Sequence, residues 1–277
     1  MRLRPLAGGR RMIDIVISGA AGRMGQAIAR IAREMEDIRI VGALGASDRP
    51  YTGRDLGTVL GGDLLGAVIE SDMEIVLKPG RTWVEFSTPA ATLAHTRRIA
   101  EIGLPTLVGT TGFSGSEREE LYGLARVIPL LVASNTSLGA NLLFSLAETA
   151  ARSLGTDFDM EIVEAHHRMK RDAPSGTARQ LVERMATARN QTLDDVAAYG
   201  RNPATGRRQP GEIGIHALRG GDIVGEHTAI FFGNGERIEI AHRVRSIDTF
   251  AHGALHAVRF LKDRPPGLYT MGDVLKG

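Results

Sequence analysis

The chain of 277 residues contains no cysteine. That excludes a disulfide framework, a thiolate metal site and a cysteine nucleophile, and it suits a cytoplasmic protein. Aromatic residues are scarce, at 5%, and the formal net charge is only +2, from 34 basic and 32 acidic residues. A nucleic-acid binder concentrates basic residues in a stripe with stacking aromatics, so these values point away from nucleic acid. No apolar run approaches the roughly 18 residues of a membrane span. The opening "MRLRPLAGGRRM" is basic but lacks the apolar segment of a secretory signal. It reads as a disordered basic extension over residues 1–11, or as a mis-assigned start, with the fold beginning at Met12.

What is present fits a well-cored chain, with 43% hydrophobic and 24% charged residues and enough length for two modest domains. In the first half, "MIDIVISGA", "IRIVGAL", "RTWVEFS", "LPTLVGTT" and "IPLLVAS" are short apolar strands separated by helical patterns. Strands alternating with helices predict βαβ units and a parallel sheet. Between the first strand and the first helix stands "GAAGRMG", with Gly19, Gly22 and Gly25 in G-x-x-G-x-x-G spacing. Glycines there permit a tight turn and let backbone amides approach a pyrophosphate at a helix N-terminus. The helix should bury the stripe Met24, Ile28, Ile31 and Met35.

A dinucleotide fold usually ends its second strand with an acid that holds the ribose diol. Here that place holds Gly45, followed by Asp48 and Arg49. Glycine should leave room for a 2′-phosphate, which Arg49 or Arg54 could pair with, although both arginines also read as solvated loop residues. Three strand ends, "FSTPAA", "GTTG" and "ASNTS", carry small hydroxyl and amide side chains suited to a nicotinamide ribose or carboxamide. Each alone is also an ordinary cap or turn.

The second half changes character. "LLFSLAETAARSL", after Asn141, and "SGTARQLVERMATARN" read as helices, and "DMEIVEAHH" reads as a strand. Residues 199–211 form a polar loop. "EIGIHALRG", "DIVGEHTAIFFG" and "RIEIAHRVRS" then follow, joined by "GGD" and "NGE" in hairpin style, which predicts a mainly antiparallel sheet. "TFAHGALHAVRFL" returns to helix. The fold class is therefore α/β: a Rossmann-like parallel domain plus an α+β domain for substrate binding and oligomerisation. The expected division is 12–136 with 247–277 for the dinucleotide domain and 137–246 for the second.

The densest chemistry lies in "EAHHRMKRDAPSGTA", residues 164–178. Its loop follows a strand and leads into a helix whose first amides, at Ser175, Gly176 and Thr177, form an anion site. His166, His167, Arg168, Lys170 and Arg171 add positive potential suited to a carboxylate-bearing substrate. A solvated basic loop with an ordinary helix cap is the bland alternative. A metal site fits less well, because adjacent histidines do not readily share one ion and no carboxylate sits at ligand spacing.

These residues resemble the dihydrodipicolinate reductase family, also called 4-hydroxy-tetrahydrodipicolinate reductase. The resemblance runs from Ile13 onward and rests on "GAAGRMG", "GTTG", "EAHHRMKRDAPSGTA" and "RGGDIVGEHT". It implies reduction of 4-hydroxy-tetrahydrodipicolinate by NADPH or NADH in the diaminopimelate route of lysine biosynthesis. It also implies a cytoplasmic homotetramer that pairs its C-terminal sheets, with the last helix packed on the cofactor domain.

By this resemblance His166 is the proton donor/acceptor and Lys170 the proton donor. His167, Gly176 and Thr177 touch substrate. Gly19, Ala20, Ala21, Gly22, Arg23 and Met24 form the pyrophosphate loop, while Gly109, Thr110, Thr111, Ala133, Ser134, Asn135 and Thr136 flank the nicotinamide. No metal, nucleic acid or membrane is implied. Two departures stand out: Met169 replaces a third histidine, and Gly45 replaces an acid found in many members, which puts NADH preference in question. The rival readings are another two-domain dehydrogenase of amino-acid metabolism and a non-catalytic nucleotide-binding regulator. The former should carry its own lysine motif; in the latter, drift should have eroded the His-His, Lys and Ser-Gly-Thr set.

Overall fold

A computed structural model describes residues 12–277; the extension expected over residues 1–11 lies outside the described residues. The chain forms two compact units. One comprises residues up to Ala133 with Ala251–Thr270 and Gly277; the other comprises Ser134–Phe250 with Met271–Lys276. The elements run β1 (Ile13–Ser18), α1 (Arg23–Ala32), β2 (Ile38–Leu44), α2 (Leu56–Val59), β3 (Ile69–Glu70), α3 (Met73–Val76), β4 (Thr82–Glu85), α4 (Pro89–Ala100), β5 (Thr106–Val108), α5 (Gly115–Gly123) and β6 (Pro129–Val132). There follow α6 (Leu138–Leu154), β7 (Asp159–His166), α7 (Gly176–Thr187), α8 (Leu193–Val196), β8 (Ala197–Tyr199), β9 (Ile213–Arg219), β10 (Gly225–Phe232) and β11 (Arg237–Val244). Last come α9 (Asp248–Leu261), β12 (Gly267–Tyr269) and α10 (Met271–Lys276).

In the first unit the strands make one seven-stranded sheet in the order β12-β6-β5-β4-β1-β2-β3. Every pairing in it is parallel, as the alternation of strand and helix predicts. Parallel strands are covered on both faces and read as continuous apolar runs. Ile15, Val16, Ile17, Trp83, Val84, Leu107 and Leu130 are accordingly buried. The sequence order reverses between β1 and β4, so a crevice opens at the carboxyl ends of β1, β2 and β4.

Helix α1 departs from the expected stripe. Ile28 is buried, but Met24, Ile31 and Met35 are only partly so, and the inner face is made by Gly25, Ala27, Ala29 and Ala32. The reason is close approach: a Cβ on Gly25 would lie 2.3 Å from the carbonyl oxygen of Gly19. Small residues let the helix reach the sheet where long apolar side chains would hold it off. Within this unit Arg259 of α9 grips Asp37 with two bonds of 2.7 Å.

The second unit holds a five-stranded sheet, β11-β10-β7-β9-β8. It is mixed: β10 runs antiparallel to both β11 and β7, while β9 is parallel to β7 and β8 is parallel to β9. The Asn234–Glu236 turn joins a true hairpin. The Gly220–Asp222 turn does not, because β7 lies between β9 and β10. Helices α6 and α7 cover one face through Phe144, Ala147, Leu181 and Met185 packed on Met160, Ile162, Ile215 and Phe231. Each such large side chain contributes about 1.5–3 kcal/mol by leaving water. Helix α6 starts at Leu138, ahead of the expected start, because the Ser137 hydroxyl accepts the Ala140 N–H at 3.2 Å and caps it there.

Candidate active site

In the first unit a cavity of about 440 Å³ sits at the predicted crevice, lined by Ser18, Gly19, Gly22, Gly45, Tyr51, Ser87 and His95 among others. Gly19 has φ +74°, and a Cβ there would lie 2.4 Å from the Phe86 carbonyl oxygen. Gly22 precedes α1 and provides no side-chain cap. The first amides of the helix are therefore left for an anionic group, as the fold requires of a pyrophosphate. Ala20 is buried, while Arg23 is exposed and Met24 half-buried. These residues fit a dinucleotide.

Gly45 itself lines the cavity, but its Cβ direction is occupied. A Cβ there would lie 2.8 Å from Tyr51 Cε2 and 2.9 Å from Ile69 Cγ2. Arg49 lies 3.4 Å from Asp48, with both exposed.

Beneath this cavity stands a carboxylate that sequence reasoning passed over. Glu85 is fully buried and accepts from Trp83 Nε1 at 3.0 Å and from Ser87, with His95 Nδ1 at 3.0 Å. Burial alone would raise its pKa, but the His95 contact and the two donors hold it below the ordinary carboxylate value. Gly109 donates its N–H to the Glu85 carbonyl at 2.9 Å, and the Thr92 hydroxyl donates to Thr110 at 2.8 Å. Thr111 is exposed, and Ala133 ends the unit with its N–H on Val108.

Ser134, Asn135 and Thr136 belong to the second unit, where they are wired into α7 and α9. Ser134 Oγ lies 3.4 Å from Gln180, and Asn135 Nδ2 donates to Thr177 Oγ1 at 3.2 Å. Thr136 Oγ1 donates to the Phe250 carbonyl at 2.7 Å. Asn135 and Thr177 thus tie the turn before α6 to the first turn of α7.

His166 closes β7 and is buried. Its Nδ1 lies 2.6 Å from Glu164 Oε2. Glu164 is itself fully buried, and Arg219 clamps it with bonds of 2.7 and 2.8 Å while the Ser175 N–H adds one of 2.9 Å. Burial pushes Glu164 upward, but Arg219, then His166 and Ser175, bring it below its ordinary value. Burial lowers His166, against the raising effect of Glu164. The His227 ring meets His166 edge-on at 5.2 Å, and its Nε2 lies 3.0 Å from Ser175 Oγ. Burial, then the charge of His166, depresses His227 to about 4.

The loop between His166 and α7 carries half-buried His167, exposed Arg168 and Met169, and Lys170, whose Nζ pairs with Asp172 at 2.9 Å. Ser175 caps α7 by accepting the Ala178 N–H at 3.2 Å. The N–H groups of Gly176 and Thr177 precede the helical ladder and point to no protein acceptor among the described residues. Glu164, Arg219 and His227 complete a cluster for which the sequence pointed only to His166 and Ser175; the Ser175 amide, expected to face an anion, is spent on Glu164. Two signals were available. Glu164 shares a strand face with His166 by period two, and Arg219 and His227 both fall in "RGGDIVGEHT".

The family's N-terminal sequence profile, described as "Dihydrodipicolinate reductase, N-terminus", matches residues 13–136, and its C-terminal counterpart matches residues 139–275. The chain belongs to the dihydrodipicolinate reductase family. A 4-hydroxy-tetrahydrodipicolinate reductase of Nitrosomonas europaea is 46% identical over 95% of this chain and 98% of its own length. That of Burkholderia lata is 44% identical over 95% and 99%.

Among solved structures, a dipicolinate-bound dihydrodipicolinate reductase from Paenisporosarcina sp. TG-14 shares the fold. Its TM-score is 0.75 at 24% identity, covering 94% of this chain and 97% of that one. An amine dehydrogenase from Mycobacterium smegmatis shares it more loosely, with a TM-score of 0.60 at 17% identity over 94% and 95%. The dihydrodipicolinate reductases are pyridine nucleotide-dependent oxidoreductases. This chain is one of them, and its reaction is reduction of 4-hydroxy-tetrahydrodipicolinate in the diaminopimelate route of lysine biosynthesis.

Proposed function

We propose that this reductase works through His166 and Lys170, with His167, Gly176 and Thr177 holding the substrate. The observation that supports this most directly is the convergence of a buried imidazole, a lysine and the open first turn of a 12-residue helix within one strand–loop–helix segment. The substrate is a small dicarboxylate, as is the dipicolinate bound by the Paenisporosarcina enzyme. The Gly176 and Thr177 amides bind one carboxylate at the helix N-terminus, and Lys170 adds a charge-assisted partner. When bound, the reduced nicotinamide supplies the hydride. Charge develops on the ring as hydride arrives, and a nearby proton donor stabilises it. His166 and Lys170 move that proton.

The first unit holds the dinucleotide, with Gly19 to Met24 at the pyrophosphate and Gly109, Thr110 and Thr111 beside the nicotinamide, joined there by Ala133, Ser134, Asn135 and Thr136. Both cofactors serve, with NADPH equal to or better than NADH, because no acid stands at Gly45 to clamp a ribose diol or repel a 2′-phosphate. The enzyme is a cytoplasmic homotetramer. Exposed Leu218 on β9 and Phe232 on β10 lie on the face of the sheet that α6 and α7 leave uncovered and support a partner there. The test is oxidation of NADPH and of NADH with freshly made substrate in the parent, His166→Gln and Lys170→Ala. Parental turnover in either variant sinks its assigned role.

A further inference from the structure

Glu164 has no part in the roles above, yet it is the most heavily bonded side chain of the cluster. A buried carboxylate is costly unless it is paired and hydrogen-bonded. Here both oxygens are used: Arg219 spans them, the Ser175 N–H takes Oε1, and His166 Nδ1 faces Oε2 at 2.6 Å. Arg219 stands opposite His166 in the β7–β9 register, so the guanidinium and the imidazole reach the same carboxylate from neighbouring strands. The Arg219 Nη2 also donates to the Asp172 carbonyl at 2.6 Å, which ties the clamp to the loop that carries Lys170.

An ionised carboxylate only accepts. The hydrogen between Glu164 and His166 therefore sits on Nδ1, and in the neutral ring Nε2 is the bare nitrogen. Nε2 lies over Gly225, where a Cβ would stand 3.1 Å from it. The first residue of β10 thus has no side chain where the working nitrogen needs space.

We propose that Glu164, clamped by Arg219, is a positioning residue that fixes His166 as the Nδ1–H tautomer and leaves Nε2 as the nitrogen that exchanges a proton during reduction. This rests on the reading that His166 handles a proton. A carboxylate orients a working imidazole in the same way in serine hydrolases.

The experiment is solid-state nitrogen NMR of the full-length enzyme labelled at its histidines, with the His166 signals assigned by their loss in His166→Gln. The parent should show Nδ1 protonated at His166. An Nε2–H tautomer overturns the proposal without any variant of Glu164. In Glu164→Gln the amide can accept or donate, so the tautomers should mix and kcat should fall by about tenfold or more, with the KM for NADPH unchanged. Retention of both the tautomer and kcat overturns the proposal. Should that variant not fold, Gly225→Ala leaves the Glu164 pair in place. It should lower kcat by crowding Nε2 while the Nδ1–H signal persists, and parental kcat there also overturns the proposal. Full activity in His166→Gln is a different outcome: it removes the underlying role of His166 itself.

Discussion

The buried His227 makes stability of the second unit depend on pH. Its ring is 4% exposed, and burial moves it from the ordinary 6.5 to about 4. The folded state thus excludes a proton that the unfolded chain binds between those values. Stability from this group is full above pH 6.5, falls as pH drops through 6.5, and is lost below about 4. The gap is worth about 3 kcal/mol. Burial also lowers His166, His242 and His256, so total acid loss will exceed this share.

His227→Gln isolates it. The Ser175 hydroxyl oxygen accepts from Ala178, which leaves its proton for His227 Nε2, and glutamine offers an oxygen in that place. Urea unfolding at pH 7.5 and pH 4, followed by circular dichroism, measures the difference. Amide exchange at Ile162 and Ala229 assigns it to the second unit. The parent should lose about 3 kcal/mol more than the variant between the two conditions. Equal losses would show that burial does not hold His227 neutral in the folded state.

Three further outcomes are expected. Gly45→Glu should weaken both cofactors before any NADH preference emerges, because its Cβ lands on the Tyr51 ring and the Ile69 methyl; adding Tyr51→Ser and Ile69→Ala should relieve both contacts and turn preference towards NADH by about tenfold, as titrations with each cofactor would show. Arg219→Ala should cost more stability than Arg39→Ala, since the first strands a buried carboxylate and the second breaks an exposed pair; thermal unfolding of the two variants compares them. Light scattering at micromolar concentration should report a tetramer, and a monomer would leave Leu218 and Phe232 unexplained.

The parallel sheet was legible because each of its longer strands is a continuous apolar run between helical patterns. Strands β3 and β12, of two and three residues, carry no such signal. The Gly220–Asp222 and Asn234–Glu236 turns look alike locally, yet only the second closes a hairpin. The insertion of β7 between β9 and β10 is a long-range choice that turn chemistry does not encode. The same holds for the site. His166, Lys170 and the Ser-Gly-Thr turn lie in one segment and could be read together. Their partners, buried His227 and half-buried Arg219, lie 52 residues from Ser175 and 55 residues from Glu164, so only the fold brings them in. Gly45 adds a detail the sequence does not carry: a side chain at that place would meet Tyr51, from the following loop, and Ile69.

The most direct test is the single-turnover rate of hydride transfer from NADPH to freshly made 4-hydroxy-tetrahydrodipicolinate, measured in the parent and in Lys170→Ala at saturating cofactor. The rate should fall by orders of magnitude in the variant, with NADPH affinity by fluorescence titration nearly unchanged, because Lys170 stands on the loop between β7 and α7 that we propose holds the substrate. A parental transfer rate coupled to lost NADPH binding would contradict the assignment of that loop.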